Sequence, residues 1–156
     1  MSMFIQKFFN FGKVYAHCDV PCGVYTTHRA GIAAETVEKM VKKITSLKRP
    51  VADADALAWQ AYNNSMTRFI AAKEEWAQIC KEELWILWTD YFKEEQLEKF
   101  PDLHDTFWKA AKLCSVNKRD VNLEAANQLR GKVNEISKMF QAAEGEKASN
   151  YRKEWL

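Results

Sequence analysis

Between Asp53 and Phe92 the chain repeats apolar side chains at three- and four-residue steps: Tyr62, Met66, Phe69, Ile70, Ala77, Cys80, Leu84, Leu87, Trp88 and Tyr91. This is the signature of one face of an α-helix, where residues three and four apart stack on the same side. Uninterrupted, the helix would be roughly 60 Å long at about 1.5 Å per residue. Asp53 or Asp55 is placed to cap it, and the weak helix formers Asn63-Asn64-Ser65 are the expected site of a bend. Trp76, Trp85 and Ile86 fall off the main stripe, so a second buried surface, formed with other subunits, is expected there.

A rod with one apolar stripe needs other helices laid along it. The chain supplies three. A first helix is expected from Thr27 to Leu47, capped by Thr26 or Thr27, with Ile32, Thr36, Val37, Met40, Val41 and Ile44 inward; Lys48-Arg49-Pro50 ends it. Lys42, Lys43, Lys48 and Arg49 form a solvated basic face near its negative end. Lys93 to Phe100 is a connector with room for one helical turn. A third helix opens with Pro101 at its first position and Asp102 beside it, buries Leu103, Phe107, Ala110, Ala111 and Cys114, and gives way to a polar link over 115–121. A fourth runs from Asn122 to Ala143, with Leu129, Val133, Ile136 and Phe140 inward and Gly145 just past its end. Only 5 glycines and 3 prolines in 156 residues fit helices better than a turn-rich β fold. The expectation is an all-α, up-down-up-down four-helix bundle over 27–145. A polar tail, apolar only at Tyr151, Trp155 and Leu156, follows over 146–156.

Charge excludes some classes of function. There are 23 basic and 21 acidic residues, and residues 1–16 hold Lys7 and Lys13 but no acid, so the rest of the chain is neutral. A neutral body gives no footprint for nucleic acid, and no apolar run is long enough to span a membrane. Residues 1–16 read as a leader rather than a secretory signal, since Gln6, Lys7, Asn10 and Lys13 break the apolar run. A cytoplasmic location is therefore expected.

Chemistry concentrates at His17-Cys18-Asp19-Val20-Pro21-Cys22-Gly23-Val24-Tyr25. If the peptide bond before His17 is cut, the new α-amine and the Cys18 amide nitrogen close a five-membered ring on a metal. The same nitrogen and the Cys18 Sγ close a second. Pro21 fixes its own φ and Gly23 frees the exit, so the Cys22 thiolate can fill the remaining corner of a square. The His17 imidazole reaches an axial position. Planar nitrogen–sulfur sets select Ni(II) or Cu(II), whereas tetrahedral ones select zinc. Spacing alone leaves other roles open: a disulfide, half of a zinc site whose other half is absent, or two plain thiols. Cys80 and Cys114 lie on apolar helical faces and are expected as buried core thiols.

The stretch H-C-D-V-P-C-G-V-Y resembles the hook of the nickel-containing superoxide dismutases, whose pattern is H-C-x-x-P-C-G-x-Y at the mature N-terminus. Trp88-Thr89-Asp90-Tyr91-Phe92-Lys93 and Glu98-Lys99-Phe100-Pro101-Asp102-Leu103-His104 also resemble that family, and a looser likeness runs from His17 to about Phe140. The resemblance implies superoxide disproportionation to dioxygen and hydrogen peroxide by Ni(II)/Ni(III) cycling, with one nickel ion per chain. It implies His17, Cys18 and Cys22 as metal ligands, Tyr25 as the gate of a small-anion pocket, Asp19 and Tyr91 as residues ordering that pocket, and Lys93 and Lys118 as lysines that draw in the anion. It further implies a protease that cuts before His17, and a homohexamer in which neighbours close each hook. One departure stands out. The family holds the axial imidazole with a glutamate and an arginine, and the matching positions here are Ala33 and Trp76. His28 and His104 are given no metal role. The competing functions are a non-catalytic nickel- or zinc-binding protein and a thiol redox protein using Cys18 and Cys22.

Overall fold

The computed structural model describes residues 24–145; the leader, hook residues His17, Cys18, Asp19 and Cys22, and the tail over 146–156 lie outside them. Among the described residues every regular element is helical: α1 (His28–Ser46), α2 (Ala56–Ile86), a π-helical turn (Leu87–Tyr91), α3 (Glu95–Lys99), α4 (Leu103–Arg119) and α5 (Leu123–Glu144).

Named contacts fix the direction of each long helix. Arg29 pairs with Glu83 at 3.0 Å and Lys43 lies over the Phe69 ring, so α1 and α2 are antiparallel. Lys81 Nζ meets Ser115 Oγ at 3.2 Å and Trp88 Nε1 donates to His104 Nδ1 at 2.8 Å, so α4 runs against α2. Asn117 Nδ2 donates to Ala125 O at 3.1 Å, while Thr106 lies 3.4 Å from Glu135, which sets α5 against α4. The Thr27 and Ser137 hydroxyls meet at 2.7 Å and Arg130 donates to Glu38 at 2.8 Å, which closes α5 on α1. The result is the expected up-down-up-down ring of four. Its core joins Val37 and Val41 to Cys80, Leu84, Phe107, Cys114, Leu129, Val133 and Ile136. Cys80 and Cys114 are buried free thiols, as expected. The Cys114 thiol beside it and burial push the Cys80 thiol far up, so it stays protonated.

Several local expectations change. Asp55 does cap α2, its carboxylate accepting from Ala58 N at 2.7 Å. Thr27 stands at the start of α1 but makes no cap, because its hydroxyl is committed to Ser137. The inward face of α1 is Ala30, Ala33, Ala34, Val37, Glu38, Val41 and Ile44, and Ile32 is exposed. Small alanines allow close approach of the neighbouring helices, which rotates the stripe away from Ile32. α2 passes through Asn63-Asn64-Ser65 as unbroken helix, and no residue of it is buried before Lys73. Tyr62, Met66, Phe69 and Ile70 are therefore only half-buried, because α2 outruns its partners: 31 residues against 19 in α1. Trp76 packs against the core rather than standing apart from it, while Trp85 and Ile86 are exposed. Asp102, not Pro101, directly precedes the first residue of α4, and that helix continues through the expected link to Arg119.

Lys73 explains that extension. Its ammonium is buried and donates to the carbonyls of Asn117 at 2.5 Å, Lys118 at 2.9 Å and Asp120 at 3.1 Å. These are carbonyls at the C-terminal end of α4, where no intrahelical donor remains and the helix dipole favours a cation. Burial pushes the Lys73 amine down, and the nearby carboxylates of Glu74 and Asp120 oppose that shift. Lys73→Ala should destabilise the fold by about 3 kcal/mol in urea unfolding, since it strands buried carbonyls.

Glu38, also buried, takes hydrogen bonds from Lys42 and Arg130, which hold its carboxyl below the usual 4.5. A depressed native value means the unfolded chain binds the proton first on acidification. The stabilisation is therefore complete above the ordinary glutamate range and disappears as pH falls through the lower native value. Unfolding free energy measured from about pH 6 to about pH 3 should fall less steeply in Glu38→Gln than in the parent.

Candidate metal centre

The described residues contain no group of three His, Cys, Asp or Glu side chains able to hold a metal. Cys80 and Cys114 are sealed in the core, His104 accepts from Trp88, and His28 is exposed at the first turn of α1. The remaining histidine and cysteines of the sequence are His17, Cys18 and Cys22. Their chemistry fits nickel: two thiolates with an amide nitrogen, and an amine if the chain is cut before His17, would donate strongly enough to support a higher oxidation state.

One end of the bundle receives the segment that follows these residues. Tyr25 is half-buried, and its ring meets the Tyr91 ring edge-on at 5.8 Å and 62°. Both tyrosines singled out in the sequence are thus brought together. Tyr91 is the last residue of the π-helical turn, a wider turn than the α-helix it continues, and it also packs on Phe92 at 4.9 Å and Phe140 at 4.5 Å. Such turns inside α-helices recur at functional sites. The Tyr91 hydroxyl donates to Glu144 Oε1 at 2.5 Å, and burial together with this carboxylate pushes the phenol well above its usual range. Tyr91 therefore keeps its proton across the neutral range.

Glu144 was not singled out in the sequence, though a signal existed. An acid in the last turn of a helix opposes the dipole, so its presence just before Gly145 asks for a donor. The amine of Lys99, 2.6 Å from the Ala142 carbonyl, fastens the same turn.

The two lysines are separated. Lys93 is exposed two residues beyond Tyr91, and its backbone N–H donates to Gln96 at 2.8 Å. Lys118 is half-buried at the opposite end of the bundle, about 20 Å along α4 from Leu103 at about 1.5 Å per residue, with its amine 3.0 Å from Gln78 Oε1. Within one chain, Lys118 does not meet Tyr25 and Tyr91.

Ala33 on α1 is fully buried, and Trp76 on α2 is partly buried against the core, so neither position carries a charge. The charged pair these two helices do share is Arg29–Glu83, nearer the Tyr25 end.

The family model for nickel-containing superoxide dismutase matches residues 12–144. The chain belongs to the nickel-containing superoxide dismutases. The nickel superoxide dismutase of Streptomyces seoulensis is 34% identical over 128 residues, covering 82% of this chain and 88% of that one. The corresponding protein of Streptomyces coelicolor is 32% identical over 127 residues, or 81% and 87% of the two chains. A solved native nickel superoxide dismutase superposes with a TM-score of 0.69 at 29% identity, covering 83% of this chain and 100% of that chain. The reaction expected from the hook, disproportionation of superoxide to dioxygen and hydrogen peroxide with nickel as cofactor, agrees with these relatives. A non-catalytic metal binder and a thiol redox protein are not favoured.

Proposed function

We propose that the reaction takes place at a nickel held by His17, Cys18 and Cys22 after removal of residues 1–16, with the Tyr25–Tyr91 pair beside it. The observation that carries this reading is the edge contact between those rings. Tyr25 is the third residue after Cys22, so chain length alone keeps their Cα atoms within about 10 Å. Nickel bound there supplies a one-electron couple that can oxidise one superoxide and reduce the next.

The protein groups do the rest. The His17 amine and imidazole, the Cys18 amide nitrogen and the Cys18 and Cys22 thiolates would hold the metal, and their strong electron donation would support its one-electron couple. The Tyr25 ring limits entry to small anions. Asp19 and Tyr91 hold the pocket in order; Tyr91, kept protonated and tied to Glu144, acts as a fixed wall rather than a proton source. Lys93 and Lys118 raise the encounter rate with superoxide. Since Lys118 lies at the far end of its own bundle, it serves a site only if a second copy presents it. That need, the exposed Trp85 and Ile86, and the half-buried stripe Tyr62, Met66, Phe69 and Ile70 support a homo-oligomer, proposed as a hexamer. No helix among the described residues is long and apolar enough to cross a membrane; the proposed location is the cytoplasm.

Loading the same matured chain with nickel or with zinc tests turnover against mere binding. Zinc has no redox chemistry, so superoxide decay followed by fast spectrophotometry should accelerate with nickel alone. Equal acceleration by the zinc-loaded and nickel-loaded chains would contradict the proposal.

A further inference from the structure

Among the described residues, a polar group holds Tyr91 from one side only. Its ring rests on Phe92 and Phe140, which are apolar, and on the edge of Tyr25, and its hydroxyl ends on Glu144. Glu144 is the last residue of α5, and beyond it Gly145 turns the chain with φ 57°. The last turn of α5 is thus stitched to the corner that follows α2 at two points: Lys99 to Ala142 O and Tyr91 to Glu144. Aromatic contacts alone leave a ring free to slide along its neighbours. A short hydrogen bond to a carboxylate is directional and about twice as strong as a neutral one.

We infer that Glu144 is a positioning residue of the reaction: its carboxylate fixes the Tyr91 hydroxyl, and through the Tyr91 ring it fixes Tyr25. This rests on the reading that Tyr25 and Tyr91 flank the metal. Glu144 touches neither substrate nor metal in this scheme. It sets where the wall stands, and a wall displaced from its place lets the entrance vary in width and orientation. Loss of groups that only orient the active ones commonly costs about 10-fold to 100-fold.

The test uses the full chain carrying Glu144→Ala, Glu144→Gln or Tyr91→Phe, each checked for an unchanged far-ultraviolet spectrum. In the metal-free protein, tyrosinate absorbance near about 295 nm is followed as pH rises, with Tyr91 assigned as the late step that vanishes in Tyr91→Phe. Its phenol is faced by the Glu144 carboxylate on α5 and by the Tyr25 hydroxyl-bearing ring, its other ring neighbours being apolar. Glu144→Ala removes both the acceptor and the charge, so the late step should move to lower pH; Glu144→Gln keeps an acceptor oxygen and should move it less. In the matured, nickel-loaded protein, Glu144→Ala should lower turnover about 10-fold at unchanged nickel content, and Glu144→Gln should recover most of that loss. A late step unmoved in Glu144→Ala would overturn the role of Glu144. A moved step with undiminished turnover in both Glu144→Ala and Tyr91→Phe would overturn the place of Tyr91 beside the metal. Should Glu144→Ala not fold, the same two readouts in Glu144→Gln decide, a step and a turnover both unchanged from the parent counting against the inference.

Discussion

Replacing either Cys18 or Cys22 by serine should abolish nickel retention and superoxide turnover together. Serine preserves size but removes the thiolate, leaving a hydroxyl that stays protonated at neutral pH and a hard oxygen in place of a soft sulfur. Each sulfur would be a donor to the metal, and none of the described residues offers a substitute: the other two cysteines are buried, and Cys80 is held protonated. The loss should exceed the roughly 10-fold to 100-fold associated with groups that merely orient a ligand. Elemental analysis and superoxide decay on the same sample measure it. A serine variant that still holds nickel and turns over would remove the hook from the account. The fold provides the internal control, because the core of α1, α2, α4 and α5 is assembled from residues between Ala30 and Phe140. Thermal unfolding of the metal-free variants should match the parent.

The second large effect concerns the leader. While residues 1–16 remain attached, the nitrogen of His17 belongs to a peptide bond and cannot serve as an amine donor. The two five-membered chelate rings share the Cys18 amide, so losing the amine opens one of them and removes a corner of the plane. A chain still beginning at Met1 should therefore show background turnover even with nickel supplied in excess. Cutting before His17, at an engineered protease site placed there, should restore it. Full activity from the uncut chain would show that the amine is dispensable.

The sequence told the broad architecture and the chemistry because both rest on local rules. The stripe Leu129, Val133, Ile136 and Phe140 reappears as the buried face of α5, and Asn122 caps that helix with its side chain accepting from Ala125 N at 3.0 Å. The nickel chemistry was legible because the nine residues from His17 to Tyr25 resemble the family's hook, whereas spacing alone left a disulfide or half of a zinc site open. What escaped depends on partners distant in sequence. Lys73 occupies a stripe position between Ile70 and Ala77, yet its burial makes sense only once the end of α4 lies against it. Glu38 was missed for the same reason, its partner Arg130 being 92 residues away. The apolar repeat of the long helix also overstated the core, because periodicity reports which residues share a face, not whether another helix reaches that far. Lys118 shows the limit most sharply. Its resemblance to an anion-steering lysine says nothing of which end of the bundle it stands on, and the far end is where α4 carries it.

The proposed site rests on a small set of tertiary contacts beside the segment that follows Cys22. Tyr25 leaves the hook segment and packs on Tyr91; the π-helical turn aims Tyr91; and the end of α5 holds it through Glu144. Ala33 and Trp76 are apolar at the positions where the family resemblance implies a charged pair, so if His17 binds the metal its imidazole would be held in another way here.

The most direct test of this account is a single preparation, purified by its superoxide-consuming activity, on which nickel content and intact mass are both determined. The account predicts one nickel per chain and a polypeptide whose first residue is His17. An active fraction without nickel, or one whose chains begin at any other residue, would contradict it.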